Sequence, residues 1–541
     1  QRNMQQGAAY LPREALEHVQ KALVDMHLDK IVNSAGEIIN TYLHCFGISL
    51  DATNYSKIAH HLSPAPVIAY GSGFKLTPLN PGSWAADDRR AFVKPGCFPK
   101  VVLVNTCMEE VHQIALFVDK LKSKLRAKGM TYEKTEEITV VDARDYYTED
   151  KSPAELLAVT EYLIRNTNAE FLYFVATNQA NDRTHDTFKI AEFTNELTVE
   201  QGRRVVTQHI SKNILCKIVS KGISKSNPRF LESLVMKSNM KIGGTNYNVF
   251  DLPESLSPNR QGLPSSLMVV GIDMRRPEKF DLNGSALYHP TVGSMTYMFS
   301  KSEELTVRGS YWFQSSKTQG LRELQKRFEE SLAFYRKHSE NKCYPEDVIV
   351  YFHVPHIDTD ISEEVGHLEN AFEELLTSGC NDGEMREELS PSINVVAVEQ
   401  NPKTRMFPTD LTNSADKLGN VTPGTWVAET SNTNEFTMVS HNSAKGLARP
   451  VKYRMVAGYF SEIQDLTNTL CYLQGNAWEA VSIPALLRGA ITISERGMKA
   501  YRTMDEIMGR QSQLTPEEFD KYVENVMSKK IVVKPGTIFW T

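Results

Sequence analysis

KVVLVNTC (Lys100–Cys107), EEVHQIALFVDKLKSKLRAKG (Glu109–Gly129) and ITVVDARD (Ile138–Asp145) decide the fold class. The first and third are short apolar runs. Between them apolar residues recur every three or four positions, and the segment closes on a basic turn and Gly129. A strand, a helix of that length and a second strand form a βαβ unit, whose strands run parallel. AELLAVTEYLIRNT (Ala154–Thr167) and FLYFVAT (Phe171–Thr177) repeat the alternation. A second unit opens at SSLMVVGIDM (Ser265–Met274) and continues through the hairpin-like TYMFSKSEELTVRGSYWFQ (Thr296–Gln314). A long helix around LRELQKRFEESLAFYRKH, the strand DVIVYFHV, then NVVAVEQ, GTWVAET and a helical last third follow. The expected class is α/β, with a parallel sheet first and a mixed sheet second.

Upstream, apolar positions in residues 12–47 recur at helical intervals, and LSPAPVIAYGSG and LTPLNPGSW are punctuated by Pro and Gly. They predict a helix followed by an extended linker. The expected division is a linker over 1–95, a first α/β domain over 96–255 and a second over 256–541.

At 541 residues, with 41% apolar and 23% charged residues, the composition is that of a globular protein. No run approaches the ~18 apolar residues of a membrane helix. QRNMQQGAAY, at the start, has neither the basic nor the apolar region of a secretory signal. Seven widely spaced cysteines without C-x-x-C argue against a disulfide framework or zinc site and predict a reducing compartment. Nucleotide-loop and nucleophile-elbow motifs are absent.

Net charge is -6, but charge is unevenly spread. Between Gln201 and Lys241 stand nine cations (Arg203, Arg204, Lys212, Lys217, Lys221, Lys225, Arg229, Lys237, Lys241) against Glu232. That local excess is the footprint of a polyanion site. Ile361–Ser390 is the converse, nine acids and one Arg, and reads as a solvated acidic helix and loop.

GIDMRRP (Gly271–Pro277), VEQNPKTRMFPTD, GNVTPGTWV, EFTMVSHNSAKGLARPVKYRMV and AVSIPALLRGA follow one another in the order and spacing of a eukaryotic Argonaute PIWI domain, which the second unit resembles. FGISLDATNYSKIAHHLSPAPVIAYG resembles that family's second linker, and the βαβ region ending in MKIGG resembles its MID domain. The resemblance implies a Rossmann-like MID domain and an RNase H-like PIWI domain, without the N and PAZ domains.

In the family, a Tyr, Lys, Gln, Lys quartet grips the 5′ phosphate of a guide RNA. The matching positions are His185, Lys189, Gln208 and Lys241, and Arg496 matches an arginine that reaches the same phosphate. His185 in place of Tyr resembles the worm-specific clade, whose guides carry a 5′ triphosphate. Imidazole can stack on a base and can also carry positive charge. Lys403, Arg405, His441, Lys445 and Arg449 fall where the family contacts guide backbone, while Asn476 and Glu479 replace arginines. Such backbone contacts carry no sequence preference.

Family slicers hold two divalent cations with Asp, Glu, Asp and a final Asp or His. Asp273 matches the first position, but His353 and Ile491 stand at the third and last, and Gly320 is the counterpart of the mobile Glu. Glu323, Asp358 and Asp360 are nearby carboxylates that a register shift would bring in. One ligand of four implies a slicer-deficient protein of RNA-mediated gene silencing, with no resident catalytic metal and at most Mg²⁺ at the guide phosphate.

The implied partners are a small guide RNA, a complementary target RNA and Gly-Trp-repeat silencing proteins, the last on apolar pockets around LTNTLCYLQ. The implied location is cytoplasm, perinuclear granule or nucleus, with no membrane. The alternatives are a Mg²⁺-dependent slicing endoribonuclease and an RNA-free scaffold.

Overall fold

The computed structural model describes residues 10–48, 50, 57–84, 90–133, 138–148, 150–177, 183–192, 205–220, 227–250, 266–277, 289–301, 304–318, 320–339, 342–378, 392–409, 418–429, 434–443, 445–509, 514–528 and 538–540. Arg203, Arg204, Lys221 and Lys225 lie outside them, as do the last residues of the acidic segment.

The first sheet contains β1 (Val101–Asn105), β2 (Thr139–Asp142), β3 (Phe171–Ala176) and β4 (Val206–Ser211). Their order is β2-β1-β3-β4, and every pairing is parallel. Parallel strands covered on both faces read as unbroken apolar runs, and β1 and β3 are buried throughout. Helices α1 (Val111–Ala127), α2 (Pro153–Thr167), α3 (Arg183–Ala191), α4 (Lys212–Val219) and α5 (Asn227–Lys241) divide between the faces. Phe117 and Leu121 of α1, Leu215 of α4 and Val235 of α5 pack with Leu103 and Tyr173. Leu157 of α2 and Phe188 of α3 pack with Val104 and Phe174 on the other face.

The second sheet has nine strands: β5 (Leu267–Arg275), β6 (Thr291–Lys301), β7 (Glu304–Gln314), β8 (Asp347–His353), β9 (Ser392–Glu399), β10 (Thr425–Ala428), β11 (Glu435–Val439), β12 (Val451–Ala457) and the two-residue strand His61–Leu62. β5, β8 and β9 run parallel, while β6, β7 and β12 are antiparallel to their neighbours. Helices α6 (Leu324–His338) and α7 (Ser362–Ser378) cover one face against Met268, Val270 and Ile272. The other face carries α8 (Ile463–Tyr472) and α9 (Ala485–Ile507). Gly271 explains how closely α9 approaches. A Cβ there would stand 2.6 Å from the Leu486 and Leu487 backbone, so only glycine fits.

Two expectations need correction. The helix over 12–47 breaks into Pro12–Asp25 and Thr41–Cys45, separated by a turn closed by the Val32–Ile38 bridge. The linker is also less separate than 1–95 suggests. Val67–Ala69 pairs with Asn248–Phe250 at the end of the first domain, and His61–Leu62 joins the second sheet through β10. No helix among the described residues is long and apolar enough to cross a membrane.

Candidate nucleic-acid interface

β4 is an edge strand, so the Thr207 carbonyl is free of ladder pairing on its outer side. Two lysines use it. Lys189, from α3, donates to that carbonyl at 3.0 Å and to the Thr207 hydroxyl at 2.8 Å. Lys241, from the end of α5, donates to the same carbonyl at 2.8 Å. Lys237 lies one helical turn before it, and Arg496 reaches in from α9 and donates to the Phe539 carbonyl.

Burial lowers the pKa of all four cations, and their mutual repulsion lowers those of the three lysines further. Glu192 is the carboxylate inside this cluster. Its Oε2 lies 3.2 Å from Lys189 and its Oε1 accepts from the Thr207 amide at 2.7 Å. Glu495 also acts on Arg496 but is paired with Arg275 at 3.1 Å. Four partly or wholly buried cations around one carboxylate leave uncompensated positive charge, an arrangement that favours a multivalent anion.

Lys189, Lys241 and Arg496 are thus brought together as expected. Lys237 was read only as one of the nine cations of the basic segment, although helical spacing places it four residues before Lys241, and Glu192 was not singled out. Gln208 is buried beside them. Its amide nitrogen donates to the His209 carbonyl at 2.9 Å, and its Oε1 has no partner among the described residues.

His185 sits one turn before Lys189, its ring 5.0 Å edge-on to His209 and 6.0 Å from Phe174. Burial lowers its pKa, and the hydrogen bond to Asp186 (3.0 Å) opposes the shift without reversing it. The shift favours the neutral ring in the free protein, so the positive charge that an imidazole can carry would have to be drawn out by an anion beside it. Asp186 also pairs with Lys499 of α9 at 2.6 Å, and Lys499 itself depresses His185. Lys499→Ala is expected to raise the His185 pKa, as followed by imidazole proton shifts. An unchanged titration would mean that burial alone sets it.

The expected backbone contacts are heterogeneous. Lys403, Lys445 and Arg449 are exposed. The Arg405 guanidinium donates to the Pro402 and Thr404 carbonyls, each at 2.7 Å. His441 is largely buried, and burial with the nearby Arg488 pushes its pKa down to about 4. In the free protein it is therefore a neutral hydrogen-bonding group. A cavity of about 80 Å³ opens beside Arg488, between Met240, Leu473, Thr492 and Trp540. Asn476 lines it, and Glu479 bridges to Ser83. Within LTNTLCYLQ, Leu466, Leu470 and Cys471 are fully buried core, while Leu473 and Gln474 line that cavity.

At the RNase H-like position, Asp273 on β5 is buried, and both its oxygens are engaged. His353 Nδ1 lies 2.6 Å from Oδ1, and the Ser494 hydroxyl donates to Oδ2. Ile491 packs against the core and accepts from Ser494 through its carbonyl. The carboxylates that a register shift would supply are committed elsewhere. Asp358 pairs with Arg454 at 2.6 Å, Asp360 accepts from the Ser362 amide and Glu323 pairs with Arg327 at 2.8 Å. Gly320 faces the Glu363 carboxylate of α7, which sequence reading missed. No group of three or more His, Cys, Asp or Glu suited to a metal occurs among the described residues. This donor set does not fit two Mg²⁺ ions.

The Piwi domain family model matches residues 195–502, beginning inside the segment 96–255. "Putative protein tag-76" of Caenorhabditis elegans is 22% identical over 465 residues, covering 84% of this chain and 41% of that protein. Argonaute-2 of Drosophila melanogaster is 27% identical over 298 residues, covering 52% and 22%. The chain therefore spans less than half the length of these curated relatives. Among solved structures, Drosophila Piwi superposes with a TM-score of 0.66 at 16% identity, covering 92% of this chain and 60% of that one. The C-terminal lobe of a budding yeast Argonaute gives 0.66 at 15%, covering 90% and 95%. The matched domain, the two sheets and the buried cation cluster agree: the chain belongs to the Piwi-domain family, as a MID–PIWI protein of the Argonaute type.

Proposed function

We propose that the chain anchors the 5′-phosphorylated end of a small guide RNA in a silencing complex and presents the guide for pairing without cutting the target. The observation that carries this reading is the quartet Lys189, Lys237, Lys241 and Arg496, partly or wholly buried around the Glu192 carboxylate and outnumbering the acids beside it among the described residues. Charge of that kind costs stability in the free protein and is repaid only when an anion arrives. A Kluyveromyces polysporus Argonaute whose structure holds a guide RNA has the same fold (TM-score 0.66, 16% identity), covering 91% of this chain and 54% of that one. Ordering the guide in advance lowers the entropic cost of pairing with a complementary target.

The number of cations favours a 5′ triphosphate over a monophosphate, since each further phosphate supplies acceptor oxygens and charge for them. Silence toward the target rests on Asp273, whose carboxylate is held by His353 and Ser494, and on Ile491, which cannot ligate a metal.

RNA recovered from the purified protein should be short and resist an exonuclease that requires a 5′ monophosphate. Loss of that RNA to the exonuclease would refute the triphosphate, and absence of any bound RNA would refute guide binding. Incubating the loaded protein with a matched target and Mg²⁺ or Mn²⁺ should leave the target intact. A cut opposite the middle of the guide would establish the slicing alternative.

A further inference from the structure

The basic segment between Gln201 and Lys241 is only partly used by the phosphate site. Lys237 and Lys241 turn into it, while Lys212, Lys217 and Arg229 do not. These three lie on α4 and the start of α5, which pack with α1 on one face of the first sheet. The helices are tied together: Lys120 of α1 donates to the Ile218 carbonyl at 2.7 Å, and Lys217 of α4 lies 5.5 Å over the Phe230 ring of α5.

The acids within the three helices are Asp119 and Glu232. Glu232 is buried and held by Lys124 and Lys128, so it does not neutralise the outer surface. Lys120, Lys217 and Arg229 are exposed and Lys122 and Lys212 partly so. None of these five pairs with a carboxylate among the described residues.

We infer that this α1–α4–α5 face is a second polyanion surface, which holds the phosphate backbone of RNA outside the terminal-phosphate pocket. A protein partner would require an apolar centre ringed by polar groups. On these helices Val111 and Leu116 are the exposed large apolar side chains, so the face lacks one. Cations spread over a helical layer suit a run of backbone phosphates, which they position without reading sequence. The surface stands independently of the terminal-phosphate site, because it shares none of that site's side chains.

The test uses the full chain, a 5′-hydroxyl single-stranded RNA as backbone probe and uridine 5′-monophosphate as terminal probe. Lys120→Glu/Lys217→Glu/Arg229→Glu is expected to weaken RNA binding about tenfold or more at low salt and to make the log–log salt slope shallower by about 2. Affinity for the mononucleotide should not change. Lys120→Gln/Lys217→Gln/Arg229→Gln, with thermal stability measured in parallel, should give a smaller loss of the same sign and separates binding from misfolding. Unchanged RNA affinity and slope in both variants would overturn the inference. So would loss of polyglutamate binding with RNA binding intact, which would assign the face to an acidic protein.

Discussion

Lys189→Ala/Lys241→Ala should lose 5′-phosphorylated RNA by about a hundredfold or more. A charge-assisted hydrogen bond is worth about 1.5–3 kcal/mol, and two lost bonds amount to about 3–6 kcal/mol, or roughly 10²–10⁴ in affinity. The loss should be larger for a phosphorylated than for a 5′-hydroxyl probe, because both lysines serve the terminus. Lys241→Met separates recognition from folding. Replacing a buried, poorly compensated charge by an apolar group of similar length is neutral or stabilising. This variant should bind less and melt no earlier than the parent. Earlier melting would mean that the Thr207 hydrogen bond, not anion binding, is why Lys241 is buried.

The pH dependence has opposite signs in the free and bound states. Burial and the neighbouring cations lower the Lys241 pKa in the folded protein. Between that lowered value and the ordinary lysine value, the unfolded chain binds more protons, so the free protein gains stability as pH rises through the window. Phosphate binding needs the protonated amine and should weaken over the same range. An affinity flat until the ordinary lysine range would show that neither burial nor the neighbouring cations lower the pKa of these amines.

How much of this was legible in the sequence follows from where the signal is local. The βαβ units were readable because β1 and β3 are apolar throughout, as strands covered on both faces must be. Lys189 and Lys241 were readable through the family resemblance, but nothing local distinguishes a buried lysine from a solvated one. Their proximity arises because β4 is an edge strand that brings the ends of α3 and α5 to one carbonyl. Glu192 and Ser494 were missed for the same reason: each acts through a partner distant in sequence or on the backbone of another element. The helical period of residues 12–47 misled, because Val19, Met26 and Val32 belong to the periodic apolar set yet are exposed. Periodicity records amphipathicity, not which neighbour covers the face. The lowered pKa of His185 could not be foreseen either, since it comes mainly from burial, which depends on how α3 packs.

His353→Asp/Ile491→Asp should convert an insensitive site into one stabilised by Mn²⁺. Asp273 now shares its two oxygens between an imidazole and a hydroxyl. Exchanging the imidazole for a carboxylate puts like charges in a buried pocket, raising the pKa of at least one acid. A raised folded pKa means that stability is present at low pH and lost as pH rises through it. The metal-free variant should therefore melt earlier than the parent at neutral pH and recover on acidification. Mn²⁺ at about 100 times its Kd should return about 2.7 kcal/mol, while the parent stays unmoved. Equal Mn²⁺ responses in parent and variant would mean that the site already holds a metal. Cleavage should remain absent even then, because the fourth carboxylate is missing. Supplying it at Gly320 is a local adjustment: a Cβ there would meet the Glu363 carboxyl carbon at 2.8 Å, the far end of an exposed, flexible side chain that can swing aside. Gly320→Glu is then a third substitution, so the distance from a functioning nuclease is at least three and cannot be closed at the Asp273 pocket alone.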